Sequence, residues 1–303
     1  MTRSWPNPPP LFELDELDHP GETTTWFPRD EAPTHPPDEE VLFSETSVTD
    51  VTVVTGTAIV HETVVEQTTV RALPERWTSR VGVFDLETTG VDVVEDRIVT
   101  AYVGLLDSSG AIVHEEHWLA DPGIDIPEGA TEVHGITTAH ARAEGRPACE
   151  VIAEVTAALR TLLSAGIPVV AYNAAYDFSL LKNECARHGI EGIESPAPVI
   201  DPLVIDKSCD RFRKGKRTLD VVAAHYAVPL ESAHEASADA IAAGRVALAL
   251  AERYADRLPD DPLELHTQQI DWAREQAESL TEHFIRIGRL EPSEALDGSW
   301  PVR

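Results

Sequence analysis

An α/β protein built on a mixed sheet is the fold class this sequence predicts, and three observations predict it. From Arg80 onward, three apolar, β-branched segments follow one another with no helical pattern between them. Two later segments of the same kind, Pro168 to Tyr172 and Val199-Ile200, are set apart by amphipathic helical stretches. The resulting order, β-β-β-α-β-α-β-α-α, is a five-stranded mixed sheet with an antiparallel start, flanked by helices. Such a sheet carries its site near the carboxyl ends of its central strands.

Each element has its own signal. Val81-Gly82-Val83-Phe84 is a short apolar strand, Arg97 to Leu106 the second and Ile112 to Leu119 the third, with Asp107-Ser108-Ser109-Gly110 turning between the last two. Glu150 to Leu163 reads as a helix, followed by the buried strand at Pro168 to Tyr172. Ala174 to His188 is helical, with Asn173 able to cap its start and Gly189 closing its end. After Val199-Ile200, helices follow at about Thr218 to Tyr226 and Ala236 to Tyr254. Beyond the break at Leu258-Pro259-Asp260-Asp261-Pro262, Ile270, Ala273, Ala277, Leu280, Phe284 and Ile287 recur at 3-4-3-4-3 spacing. That is one apolar helix face, to be buried on its own domain or on a partner.

Composition sets the limits. Nine of the 22 prolines fall within the first 40 residues of 303, among acidic residues and few apolar ones, so residues 1–40 are expected to be a disordered arm. Residues 41–78 form a β-prone extension, with strands expected at Val51 to Thr55 and Val64 to Val70, read either as a hairpin or as a tether. The main folded domain is expected at 79–256 and a helical tail at 257–303. With 24 basic and 53 acidic residues, the net charge of −29 excludes binding of nucleic acid or anionic membrane by bulk electrostatics. Any phosphate-bearing substrate must be held locally. The sequence has no apolar run of about 18 residues and no secretory signal pattern at its start. Cys149, Cys185 and Cys209 lack metal-site spacing. The expectation is a cytoplasmic protein with reduced thiols.

The residues with chemistry stand at element ends. In Phe84-Asp85-Leu86-Glu87-Thr88-Thr89-Gly90, strand alternation puts Asp85 and Glu87 on one face while Phe84 and Leu86 enter the core. Two adjacent carboxylates repel, and ionise together only when solvated or neutralised by divalent cations, of which Mg²⁺ and Mn²⁺ prefer such hard oxygen ligands. Asp177 lies in the first turn of the helix after Tyr172-Asn173. His234 and Asp239 are five residues apart, roughly 140° around a helix, so His234 belongs in the loop before that helix, where it can lean over a site that Asp239 enters.

Together, the strand D-x-E, the helix-start Asp177 and the H-x-x-x-x-D segment resemble the three motifs of the DEDDh branch of 3′→5′ exonucleases. This is the DnaQ-like family of the proofreading epsilon subunit of bacterial DNA polymerase III. The resemblance spans about Ser79 to Tyr254. Phe212 to Leu219 and the helix carrying Trp272, ending near Trp300-Pro301, resemble stand-alone actinobacterial members. The family likeness implies a ribonuclease H-like fold with two divalent metals, Mg²⁺ or Mn²⁺. By similarity, Asp85 bridges both ions, Glu87 and Asp239 complete the nucleophile-side ion, Asp177 holds the other and His234 is the general base. It implies further that Leu86, Thr88, Thr89, His134, Asn173 and Phe178 contact the substrate; His134 reads equally as a turn-stabilising residue.

Local charge answers the conflict with the acidic total. Lys207, Arg211, Arg213, Lys214, Lys216 and Arg217 crowd an eleven-residue window whose only acid is Asp210. Arg213, Lys214, Lys216 and Arg217 are therefore read as phosphate contacts for an enzyme that grips one strand end. The expected activity is release of mononucleotides from the 3′ end of DNA, preferentially single-stranded, in a repair or proofreading setting. The alternatives are an RNA exonuclease of the same fold and a subunit associated with a DNA polymerase.

Overall fold

The computed structural model describes residues 51–55, 58–62, 76–230 and 235–303. The proline-rich residues 1–40, the Val64 to Val70 segment and His234 lie outside these. Backbone strands β1 (Val51–Thr55) and β2 (Ala58–Glu62) pair antiparallel as a hairpin, with Val51 opposite Glu62. The partner of Val51 to Thr55 is thus a segment nearer in sequence than Val64 to Val70.

After a single 3₁₀ turn at Trp77–Ser79, the main sheet is built from β3 (Arg80–Thr88), β4 (Ile98–Asp107), β5 (Ile112–Asp121), β6 (Arg146–Pro147), β7 (Val169–Val170) and β8 (Val199–Ile200). Their order across the sheet is β6-β5-β4-β3-β7-β8. β4 runs antiparallel to its neighbours β3 and β5, and β7 and β8 continue parallel to β3. The turn between β4 and β5 is held by Asp107, whose Oδ1 accepts from the amides of Ser109 at 2.8 Å and Ala111 at 3.0 Å. Mixed topology is as the sequence predicts. The sixth strand, β6, pairs parallel with the end of β5 and has only two residues, too few to leave a periodic pattern.

Seven-residue helices α1 (Glu128–His134) and α2 (Thr138–Glu144) fill the connection from β5 to β6. They are followed by α3 (Ala148–Ser164), α4 (Ala174–His188), α5 (Pro202–Cys209), α6 (Leu219–His225), α7 (Ala236–Arg253) and α8 (Pro262–Arg286). The sheet separates two apolar cores. On one side Phe84 and Leu86 of β3 meet Val155 and Leu159 of α3 and Phe178 and Leu181 of α4. On the other, Val81 and Val83 meet Ala240, Ala243 and Val246 of α7 and Val222 of α6.

The C-terminal helix packs on its own domain, against β8 and α5, along a face that includes Ala273 and Phe284 of the predicted stripe but not its two ends. Leu265, Gln269, Thr281 and Phe284 are buried, whereas Ile270 and Ile287 are exposed. Polar pairing places Gln269 on this face. The fully buried Gln269 accepts from the Asp201 amide at 2.6 Å and donates to the Val199 carbonyl at 3.0 Å, terminating the sheet edge at β8. No helix among the described residues is long and apolar enough to cross a membrane.

Candidate active site

The site grows from the end of β3. Alternation along this strand buries Phe84 and Leu86, and Phe84 meets Phe178 edge-on with ring centroids 5.4 Å apart. Asp85 and Glu87 therefore face the opposite side, where α7 lies. α7 approaches closely because its packed face is made of Ala236, Ala240, Ala243 and Gly244. A Cβ at Gly244 would stand 2.5 Å from Val83 Cγ1 and 2.7 Å from Leu106 Cδ1. Asp239, one turn earlier, is brought against the strand. One carboxylate oxygen each of Asp85, Glu87 and Asp239 lie within 4.8 Å of one another, all three residues half-buried.

This crowding has an electrostatic cost. Burial, then repulsion from Asp177, Glu87 and Asp239, raises the Asp85 carboxyl well above the usual carboxylate range. Burial and then Asp239 push Glu87 up to about 8. Asp177 is also raised, chiefly by burial, with Asp201 and Glu87 adding to it. Only 3% exposed, it keeps a buried Oδ1 with no hydrogen-bond partner among the described residues. Hard carboxylate oxygens brought together in this way fit divalent metal ions.

The start of α4, which carries Asp177, is built differently from the sequence expectation. Asn173 occupies the N-cap position in the left-handed region, φ 62°, and its side chain makes no cap hydrogen bond. The capping acceptor is Asp201, from the end of β8. Its carboxylate accepts from the amides of Asn173 at 3.0 Å, Ala174 at 2.9 Å and Leu203 at 2.9 Å, and from the Trp300 indole at 3.3 Å. Asp201 is 1% exposed, and burial raises its carboxyl against the opposing pull of those donors. Its sequence signal was an acid directly before Pro202, an N-cap followed by a first-turn proline. Tyr176 is the second residue that sequence reasoning passed over. Its hydroxyl lies 2.6 Å from both Thr88 Oγ1 and the Gly90 carbonyl, tying α4 to the loop after β3.

The remaining predicted contacts divide. Thr88 meets Tyr176 at the site margin, and His134, at the end of α1, lies against the Thr88 backbone. His134 Nδ1 accepts from the Ile136 amide at 3.1 Å, which is the turn-stabilising role, while Nε2 is buried with no hydrogen-bond partner among the described residues. Burial lowers its imidazole. Leu86 and Phe178 are core residues, 5% and 3% exposed. Thr89 is turned into the β3–β4 loop, its hydroxyl donating to Asp96 at 2.8 Å. Arg213 and Arg217 both pair with the fully buried Asp206 at 2.5 Å, so they hold their own loop together, while Lys214 and Lys216 are exposed. Charge density in the sequence could not distinguish these two pairs of cations.

A ribonuclease H-like mixed sheet with carboxylates converging from its central strand and from α7 defines the fold class, with an acidic cluster suited to divalent cations. Residues 83–247 match the RNase_T profile, described as Exonuclease, over more than half of the chain, and the chain belongs to this DnaQ-like exonuclease family. It is 32% identical over 169 residues to a DNA polymerase III of PolC type from Lacticaseibacillus paracasei, covering 55% of this chain and 11% of that protein. It is 29% identical over 164 residues to the PolC-type polymerase of Streptococcus thermophilus, covering 54% of this chain and 10% of the relative. The chain thus spans about a tenth of the length of these relatives. A solved structure of exonuclease I, presented as suggesting how processivity is achieved, shares the fold at TM-score 0.50 and 19% identity, over 68% of this chain and 46% of that one. A second, exonuclease I with the inhibitor BCBP, matches at TM-score 0.50 and 19% identity, over 59% and 42%.

Proposed function

We propose that this protein is a 3′→5′ exonuclease that hydrolyses single-stranded DNA one nucleotide at a time. The observation that carries the reading is the convergence of Asp85, Glu87 and Asp239 within 4.8 Å, with the buried, unpaired Asp177 Oδ1 at the start of α4. Asp85, Glu87, Asp177 and Asp239 would hold two divalent cations, Mg²⁺ or Mn²⁺. When bound, such ions supply a nucleophilic water at neutral pH and charge neutralisation at the leaving oxygen.

The chain's own groups do the rest. His234 takes a proton from the attacking water, a task suited to an imidazole titrating near neutrality. Water oxygen bonds to phosphorus, the bond from phosphorus to the 3′-oxygen of the preceding nucleotide breaks, and that oxygen leaves with a proton. The products are a nucleoside 5′-monophosphate and a strand shorter by one. Thr88 and His134 are read as the contacts to the terminal nucleotide. DNA rather than RNA is favoured because the PolC-type relatives are DNA polymerases by name. The same relatives favour, as a second reading, proofreading beside a polymerase.

The test is degradation of 5′-labelled single-stranded DNA and RNA of matched sequence in Mg²⁺ or Mn²⁺. A ladder of single-nucleotide steps on DNA, abolished by EDTA, is expected. Equal or faster degradation of RNA would move the substrate to RNA, and full activity after exhaustive EDTA treatment would overturn the metal assignment.

A further inference from the structure

We infer that the loop between α5 and α6 is a stacking platform for single-stranded DNA, with Phe212 carrying the base and Arg211, Lys214 and Lys216 the backbone phosphates. This deepens the exonuclease reading and rests on it. Phe212 is 90% exposed, more than any other exposed large hydrophobic residue among those described. A single exposed ring is ordinary on a protein surface; the loop that holds this one and the cations near it in sequence set it apart.

The loop that presents it is firmly built. Asp206, fully buried in α5, accepts from Arg213 Nη2 and Arg217 Nη1, each at 2.5 Å, and from the Tyr226 hydroxyl at 2.7 Å. Arg217 Nη2 also donates to the carbonyls of Asp210 and Arg213, at 2.5 and 3.0 Å. One buried carboxylate thereby fastens both halves of the turn, and Phe212 projects from between fixed points. Gly215, at φ 95°, lets the chain reverse between Lys214 and Lys216.

Charge identifies the occupant. Arg211, Lys214 and Lys216 are exposed within four residues of Phe212 in sequence, and the nearest acid in sequence, Asp210, is paired with Arg213 at 3.1 Å. In a protein of net charge −29, this is a local cationic surface around an aromatic face. Every base offers a π-face, and every nucleotide of a single strand carries a phosphate, so the pairing of ring and cations matches that polymer. The platform is also joined to the catalytic end of the sheet. The Tyr172 hydroxyl donates to the Arg217 carbonyl, and Tyr172 immediately precedes Asn173 and the Asp201-held start of α4.

The experiment uses fluorescence anisotropy with 5′-labelled dT16 and a strand of equal length whose internal residues are abasic, in Ca²⁺ to suppress hydrolysis. Phe212→Ser is expected to weaken dT16 binding roughly 5- to 150-fold, the usual range for loss of a stacked base, and to change abasic binding little. Phe212→Trp is expected to keep dT16 affinity, with its added fluorescence quenched by dT16 and not by the abasic strand. Lys214→Gln with Lys216→Gln should weaken both strands and reduce the salt dependence. A Phe212→Ser variant that melts like wild type and binds both strands like wild type overturns the platform. If wild type degrades DNA while that result holds, the DNA exonuclease reading stands without the platform; if wild type neither binds these strands in Ca²⁺ nor degrades them in Mg²⁺ or Mn²⁺, the DNA exonuclease reading itself fails.

Discussion

The carboxylate of Asp201 caps the amide of Ala174 at 2.9 Å, so the end of β8 fixes the start of the helix that carries Asp177. The same carboxylate receives the Trp300 indole at 3.3 Å, which links the C-terminal segment to the start of α4. An edge-strand acid thus holds the left-handed turn at Asn173 in place of that residue's own side chain.

Replacing Asp201 should show this. Asp201→Ala leaves the amides of Asn173, Ala174 and Leu203 and the Trp300 indole without their acceptor, and is expected to cost about 3–5 kcal/mol in urea unfolding. Asp201→Asn keeps an acceptor oxygen and should lose less. Equal, small losses in both would mean that the cap contributes nothing to the helix start.

Gly244 should resist even alanine. On an exposed helix that change stabilises by about 1 kcal/mol. Here the new Cβ would meet Val83 Cγ1 at 2.5 Å, so the expected sign is reversed, with a net loss of about 1–3 kcal/mol. Because α7 would move off β3, taking Asp239 with it, the thermal shift on adding Mn²⁺ should also shrink. A more stable Gly244→Ala would contradict the close approach.

Asp85→Asn is expected to abolish turnover while leaving the metal-free fold as stable as wild type or more so, since it removes one of the mutually repelling acids. Circular dichroism melts in EDTA, alongside the DNA assay, check both halves. An unfolded variant would make Asp85 a structural residue.

The raised Glu87 carboxyl gives the metal-free protein a pH dependence. In the fold Glu87 holds its proton up to about 8, whereas unfolded it loses it near the ordinary value of 4.5. The folded state therefore binds more protons between these values, and stability falls as pH rises from about 4.5 to about 8. Glu87→Gln should flatten that decline in urea midpoints measured in EDTA. Mn²⁺ should raise the melting temperature of wild type more at pH 8 than at pH 5.5, because protons compete with the ion for the same oxygens. A Glu87→Gln profile parallel to wild type would remove Glu87 from the cluster's titration.

His234→Ala is expected to lower kcat by roughly 10²–10⁴, the usual worth of a positioned base, with the Mn²⁺-induced stabilisation retained. Near-wild-type kcat with the same rising limb in the pH profile would show that the titrating group is the water and not His234.

Much of this protein was legible in the sequence because its periodicities are local. Alternation along Val81 to Glu87 placed Phe84 and Leu86 inward and Asp85 and Glu87 together, and α4 occupies the predicted Ala174–His188 and ends at Gly189. Short elements such as α1, α2 and β6 were not legible, since two to seven residues cannot display a helical or strand period. The spacing of acids along the chain, set by strand and helix repeats, determined which residue types were available for a site. Only the tertiary structure decided their use. Packing of α7 through Gly244 brought Asp239 to Asp85 and Glu87, and a buried Asp206 drew Arg213 and Arg217 inward while Phe212 was left in water. These outcomes depend on which long-range partner neutralises a charge or fills a space, a balance that no single segment contains.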